Sequence, residues 1–128
     1  MTARSDQLIE GANKALVSAQ RELEERDLEG ASERACVAML RLAKACLDVD
    51  GVAAGPATTV CSEYGQRFVQ TGQMYSAYFR WLIDATDLRK ASATDFAAAI
   101  DYEAAATVVE RAEIFRDATV RFVARSAR

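Results

Sequence analysis

The chain has 128 residues, a net charge of −3 and 51% hydrophobic residues, which predicts one globular domain and not a disordered segment. It contains no histidine, so Ser–His and Cys–His nucleophile systems are excluded. Cys36, Cys46 and Cys61 lack Cys-x-x-Cys spacing and stand in apolar surroundings, so we expect buried free thiols and no metal or cofactor. A polar N-terminus and short apolar runs predict a cytoplasmic protein without a membrane span.

The first half of the chain reads as two long helices. An apolar stripe predicts a helix over residues 5–26, with a favourable Glu22–Arg26 pair. The next helix, over residues 28–47, begins after the N-cap candidate Asp27 and is apolar on most of its circumference. Such a pattern is typical of a central helix. Because the connection is very short, the two helices should pack as an antiparallel hairpin.

The glycines and the proline of residues 51–56 mark a loop. Thr58 or Thr59 is expected to cap a third helix that ends near Gln70. A fourth helix is predicted over residues 74–91, and Asp101 is expected to cap a last helix that ends near residue 125. The chain therefore predicts an all-α fold, an up-and-down antiparallel bundle of four to five helices in a single domain covering residues 1–128.

Two sets of side chains on the later helices bear on contacts. Tyr75 and Tyr78 belong to the predicted inward stripe of the fourth helix, whereas Trp81 and Leu88 form a second apolar strip. We expect this strip to be the interface of a homodimer. The last helix carries several arginines in its C-terminal part, where cations suit the helix dipole, and weak RNA contact is the alternative. They are Arg111, Arg116, Arg121, Arg125 and Arg128.

Residues 32–39, Ser-Glu-Arg-Ala-Cys-Val-Ala-Met, resemble the second-helix signature Arg-Ala-Tyr-Tyr-Ala-Met of HEPN domains (higher eukaryotes and prokaryotes nucleotide-binding). The matching positions are Arg34, Ala35, Ala38 and Met39. Cys36 and Val37 replace the tyrosine pair, and Leu40 and Arg41 replace the Phe-His that follows in the family signature. Residues 68–72, Phe-Val-Gln-Thr-Gly, are similar to the Phe-Val-Lys-Thr-Gly segment that follows the third helix in one HEPN subgroup.

Active HEPN ribonucleases carry an Arg-x(4–6)-His motif, and the resemblance places Arg89 on its arginine. No histidine follows, and Asp95 stands six residues on. The resemblance thus implies a non-catalytic HEPN-type module. Such a module works together with a minimal nucleotidyltransferase, either as its toxin–antitoxin partner or as its substrate-binding subunit. One alternative is a ribonuclease or nucleotide-handling enzyme that uses Arg89 and Asp95. Another is a purely structural helical interaction protein.

The candidate site for a nucleotide, RNA or another anion comprises Arg89, Lys90, Arg34 and Asp95. Two cations at the end of an inward-facing helix favour a phosphate if no carboxylate neutralises them. Two further readings stay open here. Arg89 can pair with Asp84 or Asp95 instead, and Arg34 can either pair with a carboxylate or line a groove with Arg89.

Overall fold

The computed structural model describes residues 3–53, 55–92 and 100–126. These residues form five α-helices and one π-helical turn, and no strand occurs among them. The elements are α1 (Ala3–Glu24), α2 (Leu28–Val49), α3 (Ala57–Tyr64), the π turn (Gly65–Val69), α4 (Ser76–Ser92) and α5 (Tyr102–Ser126). The expected all-α bundle of four to five helices is therefore confirmed.

α2 lies at the centre of the bundle and contacts α1, α3, α4 and α5. Buried side chains cover most of its circumference, as its apolar pattern predicts. Asp27 caps the helix, since the Gly30 amide donates a hydrogen bond to its Oδ1 at 3.0 Å. The central position of α2 means that every other helix is placed against it.

α1 ends two residues earlier than the sequence predicts, so the turn to α2 comprises residues 25–27. Arg26 adopts a φ of 64°, in the left-handed region, so α1 has ended before it. Its guanidinium lies over the Tyr102 ring, 4.2 Å from the centroid, and the predicted Glu22–Arg26 pair is wrong. Glu22 instead contacts Arg34 on α2, with 3.4 Å between Oε1 and Nε.

The four long helices α1, α2, α4 and α5 alternate in direction, as expected of an up-and-down bundle. The short α3 and its π turn depart from this order, because Tyr64 meets Phe115 and Phe68 meets Phe122, so the segment runs parallel to α5. Tyr78 and Phe115 meet with ring centroids 5.7 Å apart, and one to two turns along, Asp84 pairs with Arg111 at 3.4 Å. Since the α4 residue numbers rise as the α5 numbers fall, these two helices are antiparallel. α5 begins beside the α1–α2 turn, through Tyr102, and therefore runs parallel to α2.

The third predicted helix is divided in the structure. α3 begins at Ala57 after Pro56, which offers no side-chain capping bond, so the prediction of a Thr58 or Thr59 cap is wrong. After Tyr64 the chain widens into the π turn, in which the Gln70 amide donates to the Gly65 carbonyl at 2.9 Å. One additional residue per turn is the defining feature of such a segment.

The start of α4 also differs from the prediction. Met74 and Tyr75 precede the helix, which begins at Ser76. The Met74 amide donates to the Phe68 carbonyl at 2.8 Å, and the Met74 side chain is buried. Tyr75, the next residue, is 65% exposed, so its predicted inward orientation is wrong.

Gly65 lets α4 approach the π turn closely. A Cβ at this position would lie 2.8 Å from Cδ1 and Cε1 of the Phe79 ring, closer than carbon atoms pack. We predict that Gly65→Ala lowers the free energy of unfolding by about 1–3 kcal/mol because the ring must move. Urea unfolding monitored by circular dichroism measures this change.

Gly11→Ala on α1 is the matched control, since the atoms nearest to its added Cβ belong to the Arg41 side chain, at an ordinary 3.5 Å. Alanine is the better helix former, so this variant should gain about 0.5–1 kcal/mol. Equal changes in the free energy of unfolding of the two variants would show that the close approach of Gly65 and Phe79 does not constrain the fold.

Candidate functional site

Arg89, the central residue of the predicted anion site, forms a two-point ion pair with Glu33. Its Nη2 lies 3.0 Å from Glu33 Oε1, and its Nε donates to Oε2 at 3.2 Å. The predicted partner Asp84 instead pairs with Arg111, and Asp95 lies outside the described residues. The pair joins the last turn of α4 to the first half of α2, with both side chains half-exposed.

Two thiols lie beside this ion pair. Cys36 follows Glu33 by one helical turn, and burial raises its pKa to about 11, although the neighbouring Arg89 guanidinium opposes part of that rise. Burial also raises the pKa of Cys61 on α3, with Lys90 opposing it. Both thiols are therefore protonated near neutral pH and are poor nucleophiles. The expectation of buried free thiols is confirmed.

Arg34 points away from Arg89. Arg34 follows Glu33 directly, so the two side chains leave α2 in directions that differ by roughly 100° about the helix axis. There it pairs with Glu22 of α1, while Glu33 faces α4. The reading in which Arg34 pairs with a carboxylate is the one the structure supports, although its side chain is more exposed than buried.

Lys90 borders an open cleft between α3 and α4. The cleft has a volume of about 270 Å³. The cleft is lined by apolar side chains, by hydroxyl groups and by one residue of each charge. The lining residues are Ala57, Thr58, Cys61, Ser62, Phe79, Ile83, Thr86, Asp87 and Lys90. Lys90, one of the candidate site residues, therefore borders a cavity. Asp87 at the same rim offsets its charge.

The acidic residues of α4 have separate environments. Asp84 is bonded to Arg111, and Asp87 lies at the cleft rim. Within the described ranges, no group of three or more cysteine, aspartate or glutamate side chains could hold a metal ion. The Arg89–Glu33 pair therefore ties α4 to α2 beside the buried Cys36 thiol.

Trp81 and Leu88, the predicted dimer contacts, are half-buried and pack against the core. Arg111 lies over the Trp81 ring, 5.4 Å from its centroid. Leu88 lines the larger cavity between α4 and α5, of about 430 Å³, whose rim carries Asp84, Asp101 and Glu103. The homodimer stays a prediction.

A comparison with protein-family models finds none that matches the chain, and no curated protein matches it either. Over the described residues, no helix has the length and apolar character needed to cross a membrane.

The pH dependence of stability should report the buried thiol beside Arg89. Because folding raises the pKa of Cys36 from 9.0 to about 11, the native state keeps a proton that the unfolded chain releases above pH 9. The stabilisation from this proton is complete below pH 9 and decreases as the pH rises through 11. Cys36→Ala should lower stability at pH 7, and its deficit relative to the unmodified chain should narrow between pH 8 and about 11.

Urea unfolding of the two proteins across this pH range tests the expectation. Lysine and tyrosine side chains titrate in both proteins alike. The difference between the two free energies of unfolding therefore reports the titration of the Cys36 thiol alone. A constant deficit at all pH values would show that the Cys36 thiol titrates in the folded protein as it does in water.

Proposed function

We propose that this chain is a non-catalytic helical module of the HEPN type that works as the protein partner of a minimal nucleotidyltransferase. The resemblance of residues 32–39 and 68–72 to HEPN segments implies the family. The all-helical bundle around a central second helix is compatible with it. The nucleotidyltransferase partner and the toxin–antitoxin setting come from the resemblance alone.

The observation that supports a non-catalytic role is the pairing of Arg89 with Glu33. An arginine that stabilises a scissile phosphate has to offer its N–H groups to the phosphate oxygens. Here the Nε and Nη2 groups of Arg89 face a carboxylate at 3.2 and 3.0 Å. A phosphate would have to displace Glu33 from this geometry, or share the guanidinium with it at the cost of like-charge repulsion.

Proton transfer gives a second argument against cleavage. Attack by a ribose 2′-OH needs one group that takes a proton near pH 7 and another that returns it. The neighbouring thiols of Cys36 and Cys61 have raised pKa values, so both already carry a proton near pH 7 and cannot take another. The described surroundings of Arg89 therefore suit a structural tie better than an acid–base centre.

The test of the non-catalytic role is an RNA cleavage assay. Mixed RNA is incubated with the unmodified chain and with Arg89→Ala, and the products are resolved on a denaturing gel. We expect no cleavage that depends on Arg89, so both proteins should give the same background. Cleavage by the unmodified chain that disappears in Arg89→Ala would favour the ribonuclease alternative.

The partner is tested by co-expression with the minimal nucleotidyltransferase that we expect the adjacent gene to encode. The two chains should elute together in size-exclusion chromatography, at a position earlier than either protein alone. Separate elution, or an adjacent gene of another class, would contradict this partner and favour an unrelated helical interaction protein.

A further inference from the structure

We propose a second site, at the end of the bundle where α4 begins and α5 ends, that binds a nucleotide unit. In this site a nucleobase stacks on Tyr75, and its phosphate is bound by Arg121 and Arg125. The inference does not rest on the proposed function, because it uses none of the residues around Arg89.

Tyr75 is an exposed ring that the backbone holds in place. The residue is 65% exposed, yet its neighbour Met74 is buried and hydrogen-bonded through its amide to the Phe68 carbonyl. The Tyr75 carbonyl accepts a hydrogen bond from the Tyr78 amide at 3.0 Å. Residues on both sides therefore fix the position from which the ring extends.

A chain of aromatic contacts connects this ring to the core. Tyr75 meets Tyr78 edge to face, with 5.6 Å between the centroids. Tyr78 in turn lies 5.7 Å from the fully buried Phe115. The edge-to-face contact positions the Tyr75 ring while its side chain stays largely in solvent, which suits a stacking platform.

Two cations stand beside this ring. Arg121 and Arg125 lie one turn apart on α5, and both are exposed. In the part of the chain that the structure describes, neither guanidinium forms an ion pair. Asp117, one turn before Arg121, is bonded to Arg116 at 3.1 Å. Like charges at this spacing repel one another, and a phosphate between them would relieve the repulsion.

The ring and the cations line one recess. It has a volume of about 170 Å³ and is bordered by Gln73, Met74, Tyr75, Tyr78, Ala118, Arg121 and Arg125. Enclosed small-molecule sites have about 300–1,000 Å³, so this recess accommodates one planar group and leaves the rest of the ligand in solvent. The first turn of α4 begins at the same place, and the positive end of its dipole favours an anion.

The helix dipole alone does not account for this arrangement. The C-terminus of α5 favours cations whether or not a ligand binds, which explains the arginines. It does not explain why a fixed, exposed aromatic ring borders the same recess. A flat π face beside two guanidinium groups that form no ion pair with the described residues matches a nucleobase joined to a phosphate, as in a mononucleotide or a single-stranded nucleic acid.

This recess is distinct from the surroundings of Arg89. Tyr75 and Arg89 are at opposite ends of α4, and a rise of 1.5 Å per residue separates them by roughly 20 Å. Variants at one end can therefore be tested without altering the other.

The experiment measures binding of a fluorescent single-stranded octauridylate by anisotropy and of AMP by calorimetry, both at low salt. We expect the oligonucleotide to bind, with an affinity that falls as salt increases. The double variant Arg121→Gln, Arg125→Gln and the single variant Tyr75→Ser should each weaken binding by about tenfold or more. Tyr75→Trp should keep it, since the stacking face remains. All these positions are exposed, and circular dichroism checks folding.

The matched control is Arg89→Gln, Lys90→Gln, which also removes two cations and should leave the affinity unchanged. Binding of AMP as well as the oligonucleotide would identify a mononucleotide as sufficient, whereas binding of the oligonucleotide alone would identify a single strand; both support the site. The proposal is overturned if neither ligand binds, if Tyr75→Ser has no effect, or if the Arg89 and Lys90 control loses the affinity instead.

Discussion

The enclosure of α2 by four other helices is the constraint on which the rest of the structure depends. A charge on such a helix that faces a neighbouring helix needs a partner there. Glu33 and Arg34 meet this requirement in opposite directions, Glu33 through Arg89 of α4 and Arg34 through Glu22 of α1. Two adjacent residues of the central helix thus attach α1 and α4, and the position of Arg89 is a consequence of packing around α2.

Four arginines that bear on the functional proposals lie in two different environments. Arg34 and Arg89 lie where helices meet, and a carboxylate from the facing helix offsets each charge. Arg121 and Arg125 lie in the last two turns of α5, and neither forms an ion pair with another of the described residues. In a chain with a net charge of −3, any affinity for a phosphate must come from such local arrangements. The functional proposals therefore depend on where each cation lies and not on the overall charge.

The features that sequence predicts well here are local ones. Apolar periodicity identifies α2 as the central helix, and the short polar side chains of Asp27 and Asp101 mark the starts of α2 and α5, where both accept the expected backbone bonds. The partner of Arg89 could not be found in this way, because Glu33 is 56 residues distant and competes with nearer carboxylates. The orientation of Tyr75 was also unpredictable, since α-helical spacing does not apply where the chain leaves the helix.

The π turn after α3 has an evolutionary consequence. A π turn holds one residue more than an α-helical turn, so removing any single residue between Gly65 and Val69 would restore regular spacing and rotate the following chain by roughly 100°. Met74 would leave its buried position and Tyr75 would face another direction. Loops usually tolerate insertions and deletions, but here a change of one residue would exchange an interior side chain for a surface one. The length of this segment should therefore be inherited as strictly as the identity of its core residues.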